Sequence, residues 1–554
     1  MSQIASKPTT MAQSGLTDIS FQLTINDRIQ RTTTLGTVVP IPLEPEDKDP
    51  DELCWGKDYC DLRELLKLCQ ISHTDGNRKF WPDQLLQRIV SQERVEKELR
   101  RFVSDENSDP NLPTHSISWY LQKIFPEEVS SSDIMNGARN GIDSSESSKQ
   151  RSCARYIKIY TILVLCEQQP FIVDFIENGI HDDYLPFGQH NKYPSMDIPC
   201  FRSWKASQID QFLDFQYQVL IPYFCFAPGP TALPTVVKHL KYYDRVIMPW
   251  IREEADKLER GGYGIVSCMR MHPASHGFHT LAQVRVGKGM FALKKITSKD
   301  IKDFENETKM LGIFSGHHDH LIMLLTSFNW NGHNYLLFPW ADCDLENYWN
   351  SKAPPYDAQT GLMNPTRMTW VSKQLVGLTS GLHNIHNPKH LHSKLDMRFG
   401  RHGDLKPDNI LWLKPEDDRP DDDGILVIGD LGISAIHREA SRSNQPGKKI
   451  PRSPNYRPPE CDLEGGTISR AFDVWTLGCL FLEMICWTLG GTQLVKQFTD
   501  ARTRVPYLGS MANTNIFFDI KKTEDGGHVI LVKDAVLSVS IMHLVCAQSN
   551  TYEH

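Results

Sequence analysis

The sequence predicts an α+β protein: a mostly helical N-terminal region, a short strand-rich stretch, then a long helix-rich remainder. Three observations carry this expectation. Between about residues 51 and 245, apolar residues recur at three- and four-residue spacing with charges on the opposite face, the pattern of amphipathic helices. After Trp250, short apolar runs bounded by glycines read as strands joined by tight turns. Further on, apolar helical stretches return, dense with polar groups suited to chemistry.

Taken in order, residues 1–50 are rich in Ser, Thr and Pro and end in PLEPEDKDPDE, so a disordered segment is expected there. DLRELLKLCQ (61–70) and WPDQLLQRIVSQERVEKELRRFV (81–103) carry helical periodicity. The polar string SSSDIMNGARNGIDSSESSKQRS predicts a mobile loop near 126–152. ARYIKIYTILVLCE (154–167) and SQIDQFLDFQYQVLIPYF (207–224) complete a helical region over 51–245. Phe171, Phe175, Phe212, Phe215, Tyr217 and Trp204 in that region read as core aromatics rather than a stacking surface for bases.

Composition narrows the function. The 554 residues allow two to four folded units, and 40% hydrophobic with 23% charged residues is ordinary globular composition. A net charge of −8 argues against a phosphate-backbone binder, so no nucleic-acid partner is expected. The 13 scattered cysteines suggest neither a disulfide framework nor a zinc ribbon, which points to an intracellular setting, cytoplasmic or nuclear. The start shows no secretory signal, and the apolar window Val474 to Gly491 is interrupted by Glu483. It reads as a buried core helix rather than a membrane span.

The chemistry is concentrated after residue 255. Gly261-Gly262-Tyr263-Gly264, flanked by Leu258 and Val266, is a turn whose backbone can approach phosphates closely. Phe291-Ala292-Leu293-Lys294 ends an apolar run on a lysine able to meet phosphate oxygens. Glu307 shares a helix face with Phe304 and Leu311, and an inward carboxylate needs a cation, for which Lys294 is the natural candidate. His402-Gly403-Asp404-Leu405-Lys406-Pro407-Asp408-Asn409 packs an acid, a lysine and an amide into one string. Asp430-Leu431-Gly432, Tyr456-Arg457-Pro458-Pro459-Glu460 and Asp473-Val474-Trp475-Thr476-Leu477-Gly478 follow in that order. Histidines 317, 318, 320, 383, 386, 390 and 392 could suggest a metal site, but no acidic or cysteine partner sits at ligand spacing, which argues against one.

These strings, in this order, resemble a eukaryotic protein kinase of the Ser/Thr type over about residues 255–500, and the layout resembles kinase-domain proteins of filamentous fungi. The resemblance implies a bilobal fold, with a small β-rich lobe over 255–342 and a larger helical lobe beyond it. It implies ATP and Mg²⁺ as cofactors and protein substrates bearing Ser or Thr. Gly261, Gly262 and Gly264 would cover the phosphates, while Val266 and Ala292 would contact the nucleotide. Lys294, paired with Glu307, would bind the α/β-phosphates. Phe338 to Ala341 would form the hinge against adenine. Asp404 would accept the hydroxyl proton, Lys406 would steady the γ-phosphate, and Asn409 with Asp430 would hold the metal. Lys406 and Ser453 are the Ser/Thr-kinase choices. The helical region 51–245 would be a regulatory or docking region with its own protein partner.

Several departures qualify the pattern. Glu259 replaces the first loop glycine, and Gly403 replaces an arginine that normally pairs with an activation-loop phosphate. Leu431 and Pro458 are mild changes. PEDDRPDDDG (415–424) reads as a solvated hairpin tip. No late arginine motif for Glu460 is evident after Trp487, so the domain over 251–554 reads as incomplete at its end, with the run Val474 to Trp487 under-covered. A pseudokinase scaffold, acting through protein contacts, is the alternative function.

Overall fold

A computed structural model describes residues 47–55, 61–104, 115–126, 155–188, 198–225, 239–261, 264–286, 289–296, 301–314, 316–388, 398–414, 424–431, 435–438, 445–446, 455–463, 465, 467–503 and 514–539. The expected disordered segment up to residue 46, the loop over 127–154, the acidic tip, Gly262 and Ser453 lie outside the described residues, as does the side chain of Glu307.

Among the described residues, eight α-helices precede the main sheet: α1 (Pro50–Cys54), α2 (Leu62–Leu68), α3 (Asp83–Ile89), α4 (Gln92–Ser104), α5 (Ile117–Ile124), α6 (Ile157–Leu165), α7 (Ile172–Glu177) and α8 (Ala206–Val219). A small hairpin, β1 (Ile71–Ser72) with β2 (Lys79–Phe80), sits between α2 and α3. Short polar side chains start these helices: Asp61 accepts from the Glu64 amide and Ser116 from the Trp119 amide. Their apolar faces close one core, in which Phe175 and Phe212 stack 5.6 Å apart and Phe201 and Trp204 pack around them. The aromatics predicted as core lie in that core or pack against it, except Tyr217, which is buried outside it under the Arg245 guanidinium.

The six-stranded sheet runs β3-β7-β8-β6-β5-β4, from β3 (His239–Lys241), β4 (Trp250–Gly261), β5 (Gly264–Met271), β6 (Met290–Ile296), β7 (Thr326–Trp330) and β8 (His333–Pro339). It is antiparallel except that β3 adds to β7 in parallel. The sheet therefore starts earlier than residue 255. Phe291, Leu293, Tyr335 and Leu337 face one side and pack with Phe224, Met248, Trp250 and Phe278, so chain from before and between the strands covers that face. Between β5 and β6 an insertion carries the short helix α9 (Ala282–Val286), and α10 (Ile301–Phe314) follows β6.

The remainder is helical, with small sheets. After β9 (Cys343–Asp344) come α11 (Leu345–Ser351), the hairpin β10 (Tyr356–Asp357) and β11 (Leu362–Met363), and α12 (Pro365–His386). Asn364 caps α12 at the Arg367 amide, with Pro365 in the first turn. β12 (Arg398–Arg401) pairs with β15 (Ala435–Arg438), and β13 (Ile410–Leu413) with β14 (Ile425–Ile428). β16 (Gln445–Pro446) pairs with β17 (Thr467–Ile468). α13 (Ala471–Arg502) runs through the centre and kinks at Gly490–Gly491, where Gly491 has φ +63° against Pro354. Trp487 donates to the Trp349 carbonyl, tying α11 to α13.

α13 has a window long and apolar enough to cross a bilayer. It nevertheless buries Asp473, Glu483 and Arg502 inside this core. The expected lack of cover over Val474 to Trp487 is not what the structure shows. The hairpin β18 (Phe518–Lys522) and β19 (His528–Val532), with Phe517 and Val536, packs on Trp475, Cys479, Cys486 and Phe498. Val474 alone in that run is a large exposed apolar residue.

Candidate active site

Strand register explains why the predicted nucleotide residues share a surface. Cross-strand partners lie on one face of a sheet. Val266 pairs with Lys294, Lys294 with Leu336, and Ala292 with Phe338. These four predicted residues, Val266, Ala292, Lys294 and Phe338, therefore share the face opposite the Phe224–Trp250 cover. Gly261 pairs with Gly264 at the end of the β4–β5 ladder. Pro339 and Trp340 then carry the chain out of the sheet. The Trp340 amide donates to the Met290 carbonyl and the Asp342 amide to Trp412.

The predicted catalytic string forms a loop between β12 and β13. Asn409 is buried, and its Nδ2 donates to the Asp404 carbonyl at 2.7 Å and to Asp404 Oδ2 at 3.1 Å. Lys406 Nζ lies 3.3 Å from the same Oδ2. The Gly429 amide donates to the Asn409 carbonyl at 2.8 Å, which places Asp430 directly after this contact. Asp430 is exposed and has φ +47°, a conformation an Asp tolerates better than most side chains. The structure thus brings Asp404, Lys406 and Asn409 together, with Asp430 on the adjoining strand end.

What holds the loop is a residue the motif reading gave no role. Asp473, fully buried at the start of α13, accepts from the His402 amide and the Gly403 amide, both at 2.8 Å. His386 Nε2 is 2.8 Å from it as well. Two amides and a ring donor on one carboxylate are charge-assisted bonds, stronger than neutral ones. Gly403 makes this possible with φ +90°, where a side chain would be strained. His402 accepts from the Asp404 amide at Nδ1, which puts its proton on Nε2, donated to the Gly429 carbonyl at 2.8 Å. One imidazole therefore joins the Asp404 loop to the Asp430 loop. The signal for Asp473 lay in its string, DVWTLG, but its partners are reached only through the fold.

Of the other predicted histidines, His318 and His320 pack, His383 is exposed, and His390 and His392 lie outside the described residues. His320 Nδ1 contacts the Leu426 carbonyl at 2.7 Å and its ring lies against Gly377, where a Cβ would clash. Burial lowers its pKa. His318 meets Ser380 at 2.9 Å. Among the described residues, no three His, Cys, Asp or Glu are grouped to hold a metal.

A late arginine is present after all, with a different partner. Arg502 donates to Glu483 at 2.7 Å, and Tyr456 donates to the other oxygen of Glu483 at 2.5 Å. Its guanidinium lies 3.9 Å and 3.8 Å from the ring centres of Phe498 and Phe517. Lys533 donates to the Arg502 carbonyl. Glu460 is half-buried and has no ion pair among the described residues.

Comparison with known proteins agrees with this geometry. The family model for the protein kinase domain matches residues 278–504. Cyclin-dependent kinase 8 of Caenorhabditis elegans is 28% identical over 220 residues, 36% of this chain and 35% of that protein. The serine/threonine-protein kinase crk1 of Schizosaccharomyces pombe is 25% identical over 239 residues, 43% of this chain and 59% of the relative. The serine/threonine-protein kinase SSN3 of Yarrowia lipolytica is 34% identical over 93 residues, 17% and 21%. The chain thus spans between about a fifth and three fifths of the length of these relatives. The glycine turn at 261–264 precedes the matched segment, whereas the Asp404 loop, the β13–β14 hairpin and the buried Asp473 fall inside it. On these grounds residues 278–504 are similar to the protein kinase domain family, within the eukaryotic protein kinase superfamily.

Proposed function

We propose that the chain transfers the ATP γ-phosphate to Ser or Thr hydroxyls of protein substrates. The observation that carries this reading is the loop on which Asp404, Lys406 and Asn409 converge, fixed from beneath by buried Asp473. Phosphoryl transfer asks for positioning and charge neutralisation rather than covalent chemistry, and that is what these residues offer.

The residues fit a magnesium nucleotide. Asn409 spends its amide nitrogen on Asp404, so its Oδ1 is the atom left for a hard cation, and Asp430 supplies a carboxylate. Two protein oxygens plus substrate phosphates suit Mg²⁺. When bound, the ion neutralises charge on the phosphates. Asp404 takes up the hydroxyl proton as a general base, held in place by Asn409. Lys406 offsets charge beside it. Lys294, on the shared sheet face with Val266 and Ala292, binds phosphate oxygens, with Glu307 as its partner. The stretch Phe338 to Ala341 receives adenine. Gly261, Gly262 and Gly264 close over the phosphates.

The helical region over 51–245 is proposed as a docking region for a protein partner. The names of the relatives include cyclin dependence, and a partner that completes the kinase is consistent with it. An intracellular setting, nuclear or cytoplasmic, goes with this reading. Lys294→Met tests the assignment: phosphoryl transfer should fall at least about a hundredfold with unchanged melting temperature, and phosphoamino-acid analysis of wild-type product should show Ser and Thr. Wild-type turnover by Lys294→Met would overturn the phosphate-binding role. Nucleotide binding without transfer by the wild type would instead favour the scaffold reading.

A further inference from the structure

The β5–β6 insertion reaches a part of the site that no motif marks. Gln283, on α9, is buried, and its side-chain amide is fully used. Its Nε2 donates to the Asp319 carbonyl at 3.1 Å and to the Leu321 carbonyl at 2.9 Å, and its Oε1 accepts from the Met323 amide at 3.2 Å. Asp319 and His320 lie in a turn closed by the Leu321 amide on the His318 carbonyl, and 321–323 follow it, so one side chain bonds both the turn and the chain just after it.

The intervening residues of that segment, His320 and Ile322, bond the strand that leads to Asp430. The Ile322 amide donates to the Ile428 carbonyl at 3.0 Å, and the Ile428 amide to the His320 carbonyl at 2.8 Å. His320 Nδ1 adds its contact to the Leu426 carbonyl. Two residues after Ile428, Asp430 holds its left-handed backbone. Between them, the Gly429 carbonyl accepts from His402 Nε2 and the Gly429 amide donates to the Asn409 carbonyl. Gln283 is therefore joined to the Asp430 turn through the short segment 319–323, a turn and the bridge of Leu321 to Ile428, which bonds Gln283 and the Ile428 strand by different backbone groups.

The insertion is itself fixed by chain from outside the sheet. The Phe224 amide donates to the Ser275 carbonyl and the Gly277 amide to the Phe224 carbonyl, both at 2.9 Å. His272 Nε2 lies 2.9 Å from Asp47 Oδ2 and is fully buried. Phe278 packs with Phe224 and Trp250 in the cover of the sheet.

We propose that Gln283 is a positioning residue for the metal-binding turn, and that through it the N-terminal region sets how firmly Asp430 is held. The proposal rests on the kinase reading for its functional consequence and on geometry alone for the coupling. It is specific to the segment 319–323 acting as the relay between Gln283 and Ile428.

The test uses the full chain and the variants Gln283→Met, which keeps volume without the amide, and Arg285→Ala, an exposed change on the same helix. Amide hydrogen exchange is read at Ile322 and Ile428. Nucleotide binding is read with fluorescent ADP, as a Mg²⁺ titration and in EDTA. Gln283→Met should speed exchange at both amides about tenfold, with Arg285→Ala at the wild-type rate. It should raise the half-saturating Mg²⁺ concentration about fivefold or more while leaving ADP affinity in EDTA unchanged. Faster exchange at Ile322 with Ile428 unmoved would overturn the relay. Equal weakening with and without Mg²⁺, or a lowered melting temperature as the sole effect, would reduce Gln283 to a packing residue. If the wild type binds no nucleotide, the kinase reading fails, while the exchange comparison still decides the relay.

Discussion

Replacing Arg502 with methionine removes the one cation paired with Glu483 among the described residues. The side chains of Arg502 and Glu483 are 1% and 6% exposed, and 2.7 Å separates them. Breaking a buried pair by deleting one partner costs about 3–5 kcal/mol, because the remaining charge is left uncompensated. Methionine still fills the slot between Phe498 and Phe517, so little of the loss comes from packing. Nε and Nη1 of Arg502 have no hydrogen-bond partner, so the intact pair adds little over a neutral replacement. The double variant Glu483→Gln/Arg502→Met, which keeps an acceptor for Tyr456, should therefore recover most of the loss. In urea unfolding followed by tryptophan fluorescence, with a slope of about 3 kcal/mol/M, Arg502→Met should lower the midpoint by about 1–1.7 M. The double variant should lie within about 0.5 M of wild type. A single-variant shift below about 0.3 M would show that Glu483 does not depend on this arginine, and the reasoning would fall.

Gly403→Ala forces a side chain onto a backbone at φ +90° and should cost about 1–3 kcal/mol, lowering transfer activity together with melting temperature; an unchanged melt would mean the turn is not strained. His276 is buried, and desolvation, with repulsion from His279 and His272, depresses its pKa to about 3 from 6.5. Folded protein thus refuses a proton that unfolded protein accepts, so its contribution to stability is full above pH 6.5. That contribution falls by roughly 1.4 kcal/mol per pH unit as pH drops from 6.5 towards 3. His276→Asn should flatten that acid limb, and an acid limb identical to wild type would contradict the assignment.

Much of the site was legible because its chemistry is compressed into short strings. Asp404, Lys406 and Asn409 lie within six residues, and a loop that short must bring them together. The shared face of Val266, Ala292, Lys294 and Phe338 follows from strand periodicity once the register is known. What could not be read depends on contacts between distant segments. Gln283 sits in the unremarkable string TLAQVRV, and its three bonds go to a segment about forty residues away. Arg502 looks like one more basic residue at a helix end, where exposure is the ordinary outcome. Its burial exists because Phe517 and the β18–β19 hairpin fold back over α13. The same hairpin explains why the apolar run of α13 is covered although no further helix pattern announced it. The cover on the outer sheet face was hidden in the same way. Phe224 and His239–Lys241 precede the strands they join and carry no periodicity that points to them.

The central claim is that the Asp404 loop transfers phosphate. It is tested most directly by incubating the full chain with Mg²⁺ and labelled ATP on a generic basic protein, beside Asp404→Asn. The account expects label on Ser and Thr from the wild type and a loss of at least about a hundredfold for Asp404→Asn, with melting temperature unchanged. Equal labelling by both proteins, or none from a wild type that binds Mg·ATP, would contradict it.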